Sequence, residues 1–309
     1  MKSSARLHIL ILAGLLVAAV PITAQQRDTA PNDEGTPAVR LLLVGDWGTG
    51  GAGAKKVAAA MAARHAAHPA HAVISTGDNI YPSGVSDVDD TQWRTKFENI
   101  FPAARLPIPF WAVLGNHDYR KNPDAQVAYT GKRLADGSIT RWRMPGRAWS
   151  TVFTAGDVTL RVIGIDTQQL VANAESRRKH LAWIDSVLSA SKEAHVMVVG
   201  HHPVYSHGHY GDNAAMKKHL APLLRRHKVR VYCNGHEHDL QVLRRQDGVR
   251  YLISGGGGGK RPSTPGVNTE FASGSMGFME LSFDAKAMHV YVLDASGQVL
   301  HAFKDAHAQ

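Results

Sequence analysis

The stretch RLLLVGD, residues 40–46, begins the part of the chain that decides the fold. Its run of apolar residues predicts a short strand that is buried on both faces, as strands in parallel sheets are. The strand ends in a Gly–Asp pair, which places a carboxylate at its carboxyl end. The same order of apolar run, glycine and polar side chain recurs further along the chain.

Four later segments also place side chains that can bind metal directly after a glycine. They are Gly77-Asp78-Asn79-Ile80-Tyr81, Gly115-Asn116-His117-Asp118, Gly200-His201-His202-Pro203 and Gly235-His236-Glu237-His238. Because sites in open α/β sheets form at the carboxyl ends of strands, we expect these segments to meet. Together they offer enough ligands for two metal ions, and two adjacent ions indicate hydrolysis of a phosphate ester.

The first half of the chain alternates strands with helices. Strands are predicted at 40–44, 72–75 and 109–114, and helices at 55–67 and 91–100. This alternation indicates βαβ units and a parallel sheet.

The later part continues with more strands and two amphipathic helices. The predicted strands are 149–153, 158–165, 196–199, 240–243, 249–254, 276–283, 288–293 and 299–303, and the predicted helices are 174–192 and 213–227. We expect the later strands to form a second, partly antiparallel sheet that packs on the first. The prediction is therefore an α/β fold, a four-layer α/β/β/α sandwich with two mixed sheets.

The N-terminus has the pattern of an export signal. Residues 1–6 carry two basic side chains and residues 9–20 are apolar and uncharged, which predicts a signal peptide over 1–24 with cleavage after Ala24. An uncleaved anchor is the alternative, but the apolar run is shorter than the roughly 20 residues of a spanning helix. We expect no membrane span after cleavage. Residues 25–37 read as a disordered lead-in, and 38–309 as one catalytic domain.

Cysteine content and net charge indicate the cellular location and the class of binding partner. Cys233 is the only cysteine, so no intrachain disulfide can form, and export without disulfides suits a bacterial periplasm or a secreted protein. Removing Lys2 and Arg6 lowers the formal net charge from +9 to +7. The basic residues are scattered and follow no nucleic-acid motif, so no specific nucleic-acid binding is predicted. Small phosphorylated substrates suit this charge, and nothing in the sequence fixes an oligomeric state.

The candidate ligands are oxygen and imidazole donors without a thiolate, which suits Fe, Zn or Mn. In an extended chain His236 and His238 would point the same way, with Glu237 pointing away. Tyr81 offers a phenolate that favours a trivalent ion, although for this residue taken alone an ordinary buried tyrosine beside the site is the better explanation.

The order of these motifs resembles the calcineurin-like metallophosphoesterases and, within them, the short, single-domain purple acid phosphatases. The general family has Asp-x-His in its first block, whereas this chain has Asp46-Trp47-Gly48. Purple acid phosphatases also lack that histidine and use the tyrosine of their second block, a position that Tyr81 matches. The resemblance runs from about residue 40 to 303 and implies a metallophosphoesterase-like fold.

The resemblance also implies a role for each matching residue. It implies Fe(III) held by Asp46, Tyr81 and His238. It implies a divalent ion, Fe, Zn or Mn, held by Asn116, His201 and His236, with Asp78 bridging the two.

The expected activity is an acid phosphatase in which a metal-bound hydroxide attacks a phosphate monoester. His117 would stabilise the transition state or protonate the leaving alcohol, and a further histidine would contact substrate. The spacing leaves His207 and His209 as candidates, and we predict His209. The alternatives are a phosphodiesterase of the same superfamily and a non-catalytic phosphate- or polyanion-binding protein.

Overall fold

The computed structural model describes residues 37–306, which form two seven-stranded sheets with helices. The strands are β1 (Val39–Val44), β2 (Ala72–Ser75), β3 (Phe110–Ala112), β4 (Trp142–Arg143), β5 (Trp149–Ala155), β6 (Val158–Gly164), β7 (His195–Val199), β8 (Val231–Asn234), β9 (Leu240–Gln246), β10 (Val249–Ser254), β11 (Thr269–Ser273), β12 (Gly277–Phe283), β13 (Ala287–Asp294) and β14 (Val299–Ala306). The α-helices are α1 (Ala52–Ala67), α2 (Pro123–Ala128), α3 (Thr167–Ala172), α4 (Ala174–Ala190), α5 (Ala214–His219) and α6 (Ala221–Arg226).

Both sheets mix parallel and antiparallel pairs. The first has the order β14-β13-β12-β1-β2-β3-β4, with β1 to β4 parallel and β12 to β14 antiparallel. The second has the order β11-β9-β10-β8-β7-β6-β5, in which β6, β7, β8 and β10 are parallel. The predicted pair of mixed sheets is confirmed.

The assignment of the last strands to the second sheet was wrong. β12 pairs antiparallel with β1, so that Leu41 lies opposite Leu281, and β13 and β14 extend the first sheet from there. Of the strands β9 to β14, only β9, β10 and β11 belong to the second sheet. The short strands β4 and β11 were not predicted.

Two predicted helices differ in the structure. The region 91–100 contains a π-helix at Trp93–Glu98. The region 213–227 is two helices, α5 and α6, because Pro222 lies at the start of α6 and cannot continue the hydrogen-bond ladder of α5.

Helices cover the outer faces of both sheets. Val57 and Met61 of α1 belong to the large apolar core that includes both sheets. On the other side, Ile184 and Leu188 of α4 pack in a second core with Val198 of β7. These two cores confirm the α/β/β/α order of layers.

The first sheet is buttressed by aromatic rings beside the first Gly–Asp turn. Trp47 is fully buried and its indole N–H donates to Ser75 Oγ at 2.9 Å, which ties the loop after β1 to the end of β2. Phe97 lies 6.0 Å from Trp47, 5.2 Å from Trp142 and 5.1 Å from Phe110 between ring centroids. The π-helix therefore supplies a buried ring that packs against the loop that carries Asp46.

The predicted signal peptide, 1–24, and residues 25–36 and 307–309 lie outside the described residues. Within 37–306, no helix combines the length and apolar character that crossing a bilayer requires. Cys233 is buried in β8.

We predict that Phe97→Ala lowers the free energy of unfolding by about 3–5 kcal/mol, because it leaves a cavity among rings that are fully buried. Phe153→Ala removes the same atoms from a half-buried position of β5 and should cost clearly less. Urea denaturation of both variants tests this. Equal losses of stability would contradict this packing role of Phe97.

Candidate metal centre

Six loops at the carboxyl ends of strands from both sheets meet at one place. The loops that follow β1, β2 and β3 come from the first sheet, and those that follow β7, β8 and β10 come from the second. The first five carry all the predicted ligands: Asp46, Asp78, Tyr81, Asn116, His201, His236 and His238.

The Tyr81 hydroxyl is the centre of the first half of the site. It lies 3.0 Å from Asp46 Oδ1, 2.9 Å from Asp78 Oδ2 and 3.0 Å from His238 Nε2. One hydroxyl proton can satisfy only one of these three neighbours. Two carboxylate oxygens and one ring nitrogen therefore converge on one phenol oxygen.

The second half of the site is centred on His201 Nε2. His201 Nδ1 lies 3.0 Å from the Thr76 carbonyl, which can only accept, so Nδ1 carries the proton and Nε2 has a free lone pair. That lone pair faces Asn116 Oδ1 at 3.0 Å and His236 Nδ1 at 3.1 Å. Metal-binding histidines commonly donate their second N–H to a backbone carbonyl in this way.

The residues fit a pair of bound cations. Asp46, Asp78 and His201 are buried, and each offers a ligand atom within 4.8 Å of the others. Asp78 faces both halves, with Oδ2 at Tyr81 and Oδ1 3.6 Å from His201 Nε2. The lone pairs of His201 Nε2 and Asn116 Oδ1 face each other at 3.0 Å, which is unfavourable without a positive charge between them.

Burial sets the charge states around these donors. Burial and the charge of Asp78 raise the pKa of Asp46 well above its ordinary value. Burial and the charges of Asp46 and Asp78 also raise the pKa of the Tyr81 phenol. Only a cation nearby would reverse these shifts and yield the carboxylate and phenolate forms that bind metal.

The three histidines are held neutral, which is the form that binds metal. Burial, followed by the charge of His202, lowers the pKa of His201 well below its ordinary value. Burial and the charge of His201 lower the pKa of His236 to about 2. Burial, and after it the charge of Arg261, lowers the pKa of His238 to about 4.

The backbone turns sharply at four of the candidate ligands. Asp46, Asp78, His236 and His238 all have left-handed backbone, with φ of 57°, 51°, 75° and 56°. His236 and His238 are therefore not in the extended conformation that the sequence prediction assumed. Both rings still face the cluster, while Glu237 points away and accepts from Ser206 Oγ at 2.7 Å. Such strained conformations are typical of functional sites.

Two glycines beside the candidate ligands let the backbone pack closely against a carboxylate. A Cβ on Gly115 would lie 2.1 Å from Asp78 Oδ1, and one on Gly235 would lie 2.3 Å from Asp46 Oδ2. Neither glycine has a positive φ. Each is required because a carboxylate occupies the space of its missing side chain.

Asp118 holds the loops after β2 and β3 together, a role that the sequence did not reveal. Its carboxylate accepts from the backbone N–H of Asn79, Ile80 and Gly115 at 3.1, 3.2 and 2.8 Å. The side chain of Gln126 donates to it at 2.7 Å. The available signal was its place at the end of the Gly115–Asp118 motif.

His117 lies at the edge of the cluster with one nitrogen fixed. Nδ1 is 2.7 Å from the Pro82 carbonyl and so donates its proton there. Nε2 lies 4.0 Å from Asp78 Oδ2, and the ring centroid lies 4.5 Å from that of Tyr81. Nε2 is therefore the nitrogen that can exchange a proton at the site.

The two histidines considered for substrate contact are not brought to the ligand cluster. His209 is exposed, with its ring 4.8 Å from that of Tyr210. His207 lies against Gly266. Tyr210 is the residue that reaches the cluster, since its ring stacks on the His236 ring at 4.4 Å. Sequence reasoning missed both Tyr210 and Arg261, which lies over its ring.

Comparison with known proteins agrees with this geometry. The model of the calcineurin-like phosphoesterase family matches residues 39–240. The chain belongs to the calcineurin-like phosphoesterase family. Tartrate-resistant acid phosphatase type 5 of Mus musculus is 31% identical, over 94% of this chain and 95% of that protein. Purple acid phosphatase 3 of Arabidopsis thaliana is 29% identical, over 93% of this chain and 83% of that protein.

Two solved structures share the fold of this calcineurin-like phosphoesterase. GAP50, described as the anchor in the inner membrane complex of Plasmodium, has a TM-score of 0.81 at 23% identity, covering 88% of this chain and 90% of its own. Purple acid phosphatase PPD1 of yellow lupin has a TM-score of 0.67 at 16% identity, covering 89% and 55%. At these identities the likeness shows the fold alone.

We predict that Asp46→Asn changes the stability of this phosphoesterase in opposite directions with and without metal. Because the pKa of Asp46 is raised in the folded state, its contribution to stability is complete below about pH 4 and is lost as the pH rises. At pH 7 the variant should therefore raise the Tm of metal-free protein and lower that of metal-loaded protein, whereas at pH 4 the metal-free difference should vanish.

Thermal unfolding with chelator and with added metal measures this difference. Asp136→Asn alters an exposed aspartate and serves as the control. A lower Tm for metal-free Asp46→Asn at pH 7 would show that this carboxylate is not an uncompensated buried charge.

Proposed function

We propose that this chain is an exported acid phosphatase that hydrolyses phosphate monoesters at a dinuclear Fe(III)–M(II) centre. The family and the acid phosphatases among its relatives support a metal-dependent phosphatase. The observation that carries the finer proposal is the convergence of the Tyr81 hydroxyl with Asp46, Asp78 and His238. A phenolate within a set of hard donors suits a trivalent ion.

The proposed assignment divides the donors between two ions. Fe(III) would be held by Asp46, Tyr81 and His238, the donors around the hydroxyl. The divalent ion, Fe, Zn or Mn, would be held by Asn116, His201 and His236, the donors around His201 Nε2. Asp78 would bridge the ions, which its two oxygens support because each faces a different half.

When bound, the two ions would neutralise the charge of the phosphate and activate water for in-line attack on phosphorus. The chain itself supplies the proton chemistry. With Nδ1 donating to Pro82, His117 presents Nε2 to the site, and in its protonated form this nitrogen can give a proton to the leaving alcohol. His209, which is exposed beside Tyr210, stays a proposed substrate contact.

Two other functions are tested by one pair of assays. A phosphodiesterase would use the same ligands. A non-catalytic binder would keep the fold without turnover, and GAP50, which shares the fold, is described as an anchor. Turnover of a chromogenic monoester and of the matching bis-ester decides between monoesterase and diesterase. Metal-loaded protein that hydrolyses neither, from acid to mildly basic pH, would support the binder.

Export is part of the proposal and rests on the basic and apolar pattern of residues 1–24. Expression of the whole chain in a bacterium should place it outside the cytoplasm with a new N-terminus near Gln25. Intact protein confined to the cytoplasm would contradict export and leave the phosphatase proposal standing.

We predict that Tyr81→Phe abolishes a visible charge-transfer band while the fold is kept, because phenylalanine fills the same space without an oxygen donor. The spectrum of the purified, iron-containing protein measures this. Tyr205→Phe removes a hydroxyl outside the ligand cluster and should leave the band unchanged. An active, iron-free and colourless protein with two divalent ions would rule out Fe(III) but not phosphoester hydrolysis.

We predict that His117→Asn lowers kcat by roughly 10²–10⁴-fold for alkyl phosphates, whose leaving alcohols need a proton. For nitrophenyl phosphate the loss should be smaller, since that leaving group departs unprotonated. The exposed His68→Asn is the control. An equal loss for both substrates would favour transition-state stabilisation over proton donation, and no loss would remove His117 from the mechanism.

A further inference from the structure

The loop that follows β10 returns to the ligand cluster and fixes Arg261 beside it. The Arg261 backbone N–H donates to the His238 carbonyl at 2.9 Å. The start of the loop is packed, since Gly255, Gly256 and Gly257 are buried. The position of Arg261 is therefore set by the same segment that holds a proposed metal ligand.

The guanidinium of Arg261 is braced by Tyr210. Its Cζ lies 4.8 Å from the centroid of the Tyr210 ring, within the range of a cation–π contact. That ring in turn stacks on His236, with 4.4 Å between centroids and 24° between planes. The Tyr210 backbone N–H donates to Glu237 Oε2 at 3.0 Å, which ties this loop to the His236–His238 segment.

Arg261 lacks the kind of carboxylate partner that Arg161 and Arg250 have. Arg161 pairs with Glu193 at 2.5 Å, and Arg250 pairs with Glu270 at 2.6 Å. Within residues 37–306, no carboxylate lies within 4.0 Å of the Arg261 guanidinium, and its Nη1 is buried without a hydrogen-bond partner. A buried arginine N–H without a hydrogen-bond partner lowers the stability of the folded protein.

One buried carboxylate lies within reach of the charge of Arg261. It belongs to Asp239, which follows His238 directly and whose buried Oδ1 has no hydrogen-bond partner. The structural alternative is therefore that Arg261 is a distant counter-charge for Asp239.

We propose that Arg261, braced by Tyr210, binds phosphate oxygens of the substrate at the mouth of the metal centre. This inference rests on the proposed phosphatase function. The guanidinium fork matches two phosphate oxygens, and its unpaired Nη1 is the donor that such an anion would satisfy. Arg261 and Tyr210 are then part of the substrate site.

The direct test is equilibrium binding of inorganic phosphate to metal-loaded protein by calorimetry. Arg261→Ala should raise the Kd for phosphate at least about tenfold, as expected for the loss of charged hydrogen bonds. The Kd of Arg261→Lys should lie between those of the wild type and Arg261→Ala, because lysine keeps the charge but not the two-pronged donor geometry of the guanidinium. Metal content and Tm should stay at the wild-type values.

Three matched variants separate contact from general charge. Lys260→Ala removes an exposed neighbouring cation and should change the Kd less than twofold. Tyr210→Ala should weaken phosphate binding, and Tyr210→Phe, which keeps the supporting ring, should weaken it less. In steady-state hydrolysis, Arg261→Ala should raise KM more than it lowers kcat.

The inference is wrong if wild-type protein binds no phosphate, or if Arg261→Ala binds it as tightly as wild type. If Arg261→Ala instead lowers the Tm and leaves the phosphate affinity unchanged, Arg261 acts as a counter-charge for Asp239. Phosphate binding that depends on Arg261 in a protein that hydrolyses no ester would uphold this inference and overturn the proposed function.

Discussion

Two buried carboxylates around one phenol are the constraint on which the rest of this structure depends. Asp46 is fully buried, Asp78 is nearly so, and both lie at hydrogen-bond distance from the Tyr81 hydroxyl. Negative charge in a low-dielectric interior is tolerated only beside a cation or as protonated acid. The fold therefore forms a site that favours positive charge, and the neutral histidines line the rest of it.

The architecture explains how so many donors reach one point. Each sheet directs the carboxyl ends of its parallel strands to the same edge, and the two edges face each other. The hydroxyl of Ser254, at the end of β10, donates to the Leu43 carbonyl of β1 at 2.8 Å, so the sheets are joined next to the site. The left-handed turns at Asp46 and Asp78 then aim the carboxylates inward, a strain that the packed sheets sustain.

Much of the fold, and the convergence of the candidate ligands, could be predicted from the sequence because most of these residues follow a recognisable apolar strand. Asp46 and His201 are examples, since β1 and β7 are apolar runs that end at the site. Sheet membership of the last strands could not be predicted, because the pairing of Leu41 with Leu281 joins opposite ends of the chain. The residues at the mouth of the site were harder to predict for a different reason. Tyr210 and Arg261 belong to loops without a periodic pattern, and their placement depends on ring stacking and on one backbone hydrogen bond.

The relatives and the geometry agree on a metal-dependent phosphatase. The central claim is that the cluster holds two metal ions. Elemental analysis of the purified, metal-loaded protein tests it most directly. We expect two ions per chain, one of them iron, and loss of both when Asp78 is replaced by Ala. A stoichiometry that never exceeds one ion per chain would contradict the account.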